Sequence, residues 1–265
     1  MSSVQVDSSG WRGSGGAALD GVLAIVGGSD RRASGSCLAP DVRTWIASPE
    51  QGRAAAVGST HGADNARQAL ARLAPSSLTV VGVAHADDAC WAEIERVGDG
   101  RQETCIVGLR CDDAGAVSRL VWLRAALVPA RDAGDGNAAP DARTVLGRYF
   151  ADLMTSRFRE AASRFSADTI YSHPPYAGGS ERVLYCGREA LVRGWVSDRG
   201  PSPAQQIITG LWQRGSRVFV EGVIEGIAGG GSFFSTAQLT ADGEIARYVA
   251  FYSATRIPGL NQESN

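Results

Sequence analysis

The sequence predicts an α+β protein made of two tandem units, each a curved, mainly antiparallel sheet wrapped on a helix, and three observations carry that reading. The first is self-similarity. Moving the chain along itself by 128 residues lays 82–124 on 210–252 without a gap and matches Gly82/Gly210, Glu93/Glu221, Gly98/Gly226, Gly115/Gly243, Arg119/Arg247 and Val121/Val249. Six identities prove little alone, but strand-like runs and turn glycines recur at the same places, as an internal repeat requires. A shift of 125 also lays Thr44-Trp45-Ile46-Ala47-Ser48-Pro49 on Thr169-Ile170-Tyr171-Ser172-His173-Pro174, and Gly62 on Gly187. The second observation is a long apolar stripe at helical period, and the third is a run of about four strand-like segments closing each half. Each half reads helix, short extended segment ending at X-Pro, helix, then strands, the pattern of an α+β unit.

Taken in order, residues 1–18 are rich in Ser and Gly and read as a disordered tail, because such a composition buries too little surface to fix the backbone. A short helix follows from Leu19 (Leu19, Val22, Leu23, Val26), stopped by Gly27-Gly28. Residues 42–46 are extended, a Gly/Ala-rich loop leads to a helix over 63–73, and strands follow near 78–85, 89–97, 104–111 and 116–128. The first unit is thus 19–128. Residues 129–141 collect Pro, Gly, Asp and Asn without apolar period and read as a linker. In the second unit, 142–258, Val145, Leu146, Tyr149, Phe150, Leu153, Met154, Phe158, Ala161, Ala162 and Phe165 predict one helix of more than five turns. A short helix over 187–196 and strands near 205–213, 216–226, 232–240 and 244–254 complete it, with Asp242-Gly243 marking a tight hairpin.

Composition narrows the function. A net charge of -2 gives no footprint for nucleic acid. All 26 basic residues are arginine, which excludes a Schiff-base lysine, a pyridoxal phosphate anchor and a Walker-type phosphate loop. Five scattered cysteines without a CxxC pair signal neither a disulfide framework nor zinc, and His61 and His85 lack ligand spacing. No metal and no organic cofactor is expected. Nothing reads as a leader or a membrane span, so the expected setting is cytoplasmic, with no membrane partner.

The stretch Thr169–Tyr176 stands out because it places a histidine in extended backbone immediately before Pro174-Pro175. Imidazole is the side chain best suited to move a proton near neutral pH. Tyr171, two residues earlier, points to the same side of an extended chain and can serve the same ligand. Residues present only in the second half are candidates for function: His173 opposite Ser48, Tyr171 opposite Ile46, Tyr252 opposite Arg124 and Trp212 opposite Ala84. Tyr176, in a Pro/Gly loop, either caps the mouth of a pocket or is simply exposed, and Trp195, Trp212 and Tyr252 either wall that pocket or pack in the core. Glu221, matched by Glu93, serves either the shared fold or the site as a carboxylate.

This order of elements, with an acid or base just before a proline after the first helix, resembles the nuclear transport factor 2-like superfamily. That is the cone-shaped α+β barrel shared by ketosteroid isomerase, limonene epoxide hydrolase and SnoaL-like polyketide cyclases. The resemblance covers 141–257 well and 19–128 more loosely, and His173 stands where members often carry a catalytic aspartate. It implies two cones packed as an intramolecular pseudo-dimer, compatible with a monomeric chain. It also implies cofactor-free acid/base chemistry, whether isomerisation, cyclisation or hydration, on a hydrophobic polyketide-like or other secondary metabolite. His173 would be the general acid or base and Tyr171 the donor to a developing oxyanion, with Tyr176, Trp195, Trp212, Glu221 and Tyr252 contacting substrate. The first unit is then a degenerate copy kept for packing. The alternative, on the same fold, is a non-catalytic module that binds a small molecule or another protein.

Overall fold

The computed structural model describes residues 3–5, 14–28, 37–47, 57–86, 88–98, 100–129, 141–176, 181–227 and 230–259. The chain divides into two compact units that change over between Leu127 and Val128, just ahead of the expected linker, most of which lies outside the described residues. Ser48 lies outside them too.

The first unit comprises β1 (Ser3–Gln5), α1 (Ser14–Val26), β2 (Leu38–Ala47), β3 (Val57–His61), α2 (Ala63–Ala71), β4 (Ser77–His85), β5 (Ala89–Gly98), β6 (Arg101–Cys111) and β7 (Val117–Ala126). Its sheet runs β1-β4-β5-β6-β7-β2-β3. The second comprises α3 (Ala142–Met154), α4 (Phe158–Ala162), β8 (Phe165–His173), β9 (Val183–Cys186), α5 (Arg188–Gly194) with a π-helical turn over Trp195–Arg199, β10 (Gln205–Arg214), β11 (Arg217–Glu225), β12 (Gly231–Leu239) and β13 (Ile245–Ser253). Its sheet runs β10-β11-β12-β13-β8-β9. Leaving β1 aside, the two sheets share one order: a four-stranded antiparallel meander whose last strand pairs in parallel with the first strand of a hairpin. Each meander carries a bulge at the equivalent place, Val80/Gly82 and Ile208/Gly210, and each short helix starts after a glycine at φ 91°, Gly62 and Gly187. Only glycine adopts that backbone without strain.

Four expectations need correction. The amino-terminal segment is not all tail, since β1 pairs in parallel with β4 and α1 starts at Ser14. Gly15, read as loose composition, serves close approach there, since a side chain on it would press on Cys90. The single long helix of the second unit is two, broken where Ser156 takes φ 59°. Thr155 turns its hydroxyl onto the Ala151 carbonyl, and Arg157 folds back through its N–H to the Asp152 carbonyl and through its guanidinium to the Asp152 carboxylate. The apolar stripe bridges the break because Ala161, Ala162 and Phe165 bury themselves beyond it. Strand β3 stands in the stretch expected to be a Gly/Ala-rich loop.

The fourth correction concerns the repeat itself. Paired positions place Thr44 against Leu120 and Trp45 against Val121, while Tyr171 pairs with Tyr248 and Ser172 with Val249. With 120 and 121 equivalent to 248 and 249, Thr44 corresponds to Tyr171 and Ile46 to His173. The hairpin of the first unit is therefore two residues longer, and the partner of His173 is Ile46, not Ser48. A slip of two leaves every side chain on its original face, so hydrophobic pattern cannot detect it.

Each unit fills its own core. In the first, Leu19, Val22 and Leu23 of α1 and Leu70 of α2 meet Ala92, Val107, Leu109 and Trp122 of the sheet. In the second, Asp141 caps α3 by accepting from the backbone N–H of Arg143 and Thr144, and Tyr149 of α3 meets Phe165, Trp195 and Tyr248 with ring centroids 5.1, 5.9 and 5.5 Å away. The cysteines follow the same division: Cys90, Cys105 and Cys111 are buried and Cys186 is exposed. Burial pushes the Cys105 thiol up to about 12 and Cys111 up to about 11. Thiolate is the reactive form, so at pH 8 a thiol reagent is expected to label Cys186 at once and Cys105 and Cys111 only on unfolding. Mass spectrometry of the labelled peptides reads this, and equal rates at Cys105 and Cys186 would contradict the packing.

Candidate functional site

Strand pairing decides which side chains face the interior of the second sheet, because residues directly opposite share a face. Tyr171 with Tyr248, Tyr252 with Phe233, Gln206 with Ile224, and Leu211 with Val220 all point inward. Trp212, opposite Phe219, and Glu221, opposite Phe234, point to the other face.

At the mouth of the inward face lies a cavity of about 440 Å³, lined by His173, Tyr176, Gln206, Tyr252, Ile224, Ile227 and a wall from Arg199 to Ala204, closed by Gly230 and Ser253-Ala254. One hydrogen-bonded chain runs along it. His173 Nδ1 is 2.6 Å from the Pro174 carbonyl oxygen and Nε2 is 2.8 Å from the Tyr252 hydroxyl, which also contacts the Gln206 amide nitrogen. A carbonyl only accepts, so Nδ1 carries the proton and donates; in the neutral ring Nε2 then accepts from Tyr252. With its own proton given to His173, the Tyr252 oxygen accepts from Gln206. Three donors thus point one way, from amide to phenol to imidazole to carbonyl.

The aromatic setting holds this chain in place. The Tyr176 ring stacks on His173 at 4.6 Å and the Tyr252 ring meets it edge-on at 4.7 Å. Pro174 and Pro175 end β8 and turn the chain so that Tyr176 folds back over the imidazole. Below His173, Tyr171 lies parallel to it at 6.1 Å and to Tyr248 at 5.4 Å, with Trp195 edge-on at 5.4 Å. Burial pushes the phenols of Tyr176, Tyr149 and Tyr248 well above their ordinary value. Burial raises Tyr171 too, opposed by the neighbouring Tyr176, Tyr149 and Trp195 donors and by the charge of Arg199. These phenols remain protonated at neutral pH.

Of the residues singled out from sequence, the structure brings together His173, Tyr176 and Tyr252 at the cavity. Tyr171 and Trp195 are buried in the core beneath it and do not line it. Trp212 and Glu221 lie on the opposite face of the sheet, where Glu221 nestles against Gly210 and Gly259. Sequence reasoning missed Gln206, Arg199 and the Pro174 carbonyl. Among the described residues no group of three or more His, Cys, Asp or Glu stands where it could hold a metal ion.

The first unit shows what its equivalent positions contain. Ile224, Gly231 and Tyr252 correspond to Arg96, Glu103 and Arg124, and these three form a buried ionic cluster: Arg96 Nη1 to Glu103 Oε2 at 2.7 Å, Arg124 Nε to Oε2 at 2.9 Å and Arg124 Nη2 to Oε1 at 2.8 Å. Arg96 also donates to the Leu73 carbonyl through Nε and Nη2. Where the second unit keeps a histidine and a tyrosine beside open space, the first keeps Ile46 and a closed set of charges.

No family model and no curated protein matches the chain. Solved structures do. A candidate ketosteroid isomerase from Kribbella flavida has 20% identity and a TM-score of 0.35, over 47% of this chain and 89% of that one. A nuclear transport factor 2-like protein of unknown function from Cytophaga hutchinsonii has 15% identity and a TM-score of 0.34, over 44% and 93%. A candidate polyketide cyclase from Sinorhizobium meliloti has 16% identity and a TM-score of 0.33, over 40% and 93%. These three are a ketosteroid isomerase-like, a nuclear transport factor 2-like and a polyketide cyclase-like protein.

Proposed function

We propose that the second unit is an acid/base enzyme that moves a proton on a hydrophobic small molecule held in the 440 Å³ cavity, without drawing on a cofactor. The observation that carries this is the one-way hydrogen-bond chain ending at the cavity wall. In the proposed step the Tyr252 oxygen takes a proton from a carbon next to a substrate carbonyl while its own proton passes to His173 Nε2. The Gln206 amide steadies the phenol oxygen throughout, and the imidazolium keeps its Nδ1–H on the Pro174 carbonyl. Return of the proton to another carbon gives isomerisation, and return to a departing hydroxyl gives dehydration. Tyr252, not the buried Tyr171, is then the group that meets substrate.

A second reading, a binding module, is favoured by the fact that both imidazole nitrogens are engaged within the protein, by the Pro174 carbonyl and the Tyr252 hydroxyl. One experiment separates the two. Wild-type protein is incubated in D2O with a panel of enolisable ketones and enones, and deuterium uptake is followed by mass spectrometry. Uptake into one scaffold, abolished in Tyr252→Phe, is the expected result. Saturable binding of a panel member with no exchange would leave the binding module standing and remove the enzyme.

A further inference from the structure

Among the described residues, Arg199 is the one side chain of fixed charge lining the cavity, and no carboxylate lines it. Arg199 ends the π-helical turn Trp195–Arg199, and the chain from Gly187 to the start of β10 runs three residues longer than from Gly62 to the start of β4. The extra length lies in the helical segment, Arg188–Arg199 against Ala63–Ala71, which ends at the cavity with Arg199; Pro201, Ser202, Pro203 and Ala204 continue the wall. Inserted π turns commonly mark functional sites.

The guanidinium has room for a ligand. It lies 5.7 Å from the Phe158 ring centroid and, among the described residues, donates from Nη1 to the Gly200 carbonyl at 3.1 Å. A guanidinium offers five N–H donors in a planar fork, and no acid among the described residues pairs with this one. The adjacent Asp198 is engaged elsewhere, accepting from Tyr185 at 2.6 Å and from Ser197 at 2.5 Å. The charge is felt inside the unit, where it pulls the Tyr171 phenol down against the effect of burial. A planar cation, half-buried over an aromatic ring and beside apolar walls, matches a carboxylate, which it can grip through two parallel N–H bonds.

We infer, resting on the reading that the cavity holds an apolar small molecule, that this molecule is a carboxylic acid: its carboxylate sits on Arg199 and its flat apolar body packs on Pro201, Pro203, Ile224 and Ile227. That anchor presents the opposite end of the molecule to Tyr252 and His173.

The test uses the full chain and two probes of one shape, 2-naphthoate and 2-naphthamide, titrated by calorimetry. The His173 ¹³Cε1 resonance, identified by its loss in His173→Asn, reports whether binding is at the cavity. Wild-type protein is expected to bind the carboxylate at least about tenfold more tightly than the amide and to shift the His173 signal with both. Arg199→Gln is expected to reduce that ratio to about one while keeping the affinity for the amide, which also shows that the variant is folded. Equal affinities in the wild type, or a preference that survives in Arg199→Gln, overturn the carboxylate assignment and leave the cavity reading intact. Failure of both probes to bind or to move His173 removes the cavity reading, and the assignment with it.

Discussion

Replacing Glu103 by Ala is expected to destabilise the first unit by about 3–5 kcal/mol, the usual result of removing one partner from a buried ionic cluster. Arg96 is 1% exposed and Arg124 8%, and without the carboxylate two guanidinium groups face each other with little water between them. Arg96 would keep the Leu73 carbonyl, a neutral acceptor that cannot balance its charge. Urea unfolding followed by tryptophan fluorescence measures the effect, because Trp91 and Trp122 are buried in this unit. A loss under about 1 kcal/mol would show that the cluster is solvated, as exposed ion pairs are. The matching triple replacement Arg96→Ile, Glu103→Gly, Arg124→Tyr copies the second unit and removes all three charges together. Its cost should fall well below that of Glu103→Ala, since removing a whole buried cluster is often neutral or stabilising.

The second large effect is on turnover. Once a scaffold is found by deuterium uptake, His173→Asn is expected to slow its conversion by about 10²–10⁴-fold, the range for loss of a positioned proton carrier. Asparagine is small enough for the space and can still donate to the Pro174 carbonyl, but it cannot accept and hold the proton of Tyr252. The control is Ile46→Val, at the equivalent place in the first unit, which should change turnover by no more than about twofold, since removing one methylene there affects packing alone. Initial rates at saturating substrate read both. A fully active His173→Asn would mean that proton transfer runs through another group, and an inactive Ile46→Val would move the site to the first unit.

Much of the fold was legible because its signals are local. Gly62 and Gly187 mark helix starts by a backbone angle that other residues avoid, and Gly243, at φ 82°, marks the hairpin. Strand bounds in both meanders follow from apolar runs between turn formers. The break at Ser156 was hidden since the apolar stripe continues past it, and only Thr155-Ser156 hinted at a stop. The register of His173 was misread for a different reason: two X-Pro pairs drew the alignment together, and a two-residue slip costs nothing in hydrophobic pattern. The site was half legible. His173 and Tyr252 stood out as residues without a counterpart, whereas Trp212 and Glu221 were placed in the cavity although the bulge at Ile208/Gly210 turns Trp212 to the opposite face and Glu221 alternates with the inward Val220. Arg199 had a signal that went unused, the three extra residues between Gly187 and β10 compared with Gly62 and β4.

The two prolines after His173 have a chemical effect beyond shaping the loop. β8 ends at His173, so the Pro174 carbonyl lies beyond the paired strand, where it accepts from Nδ1. Many proton-carrying histidines lean on a carboxylate, whose full negative charge holds an imidazolium once formed. Here the support is a neutral dipole, which selects the tautomer and adds no counter-charge of its own. In the proposed reaction, a proton taken from Tyr252 leaves His173 as a cation whose counter-charge is the substrate anion formed in the same step.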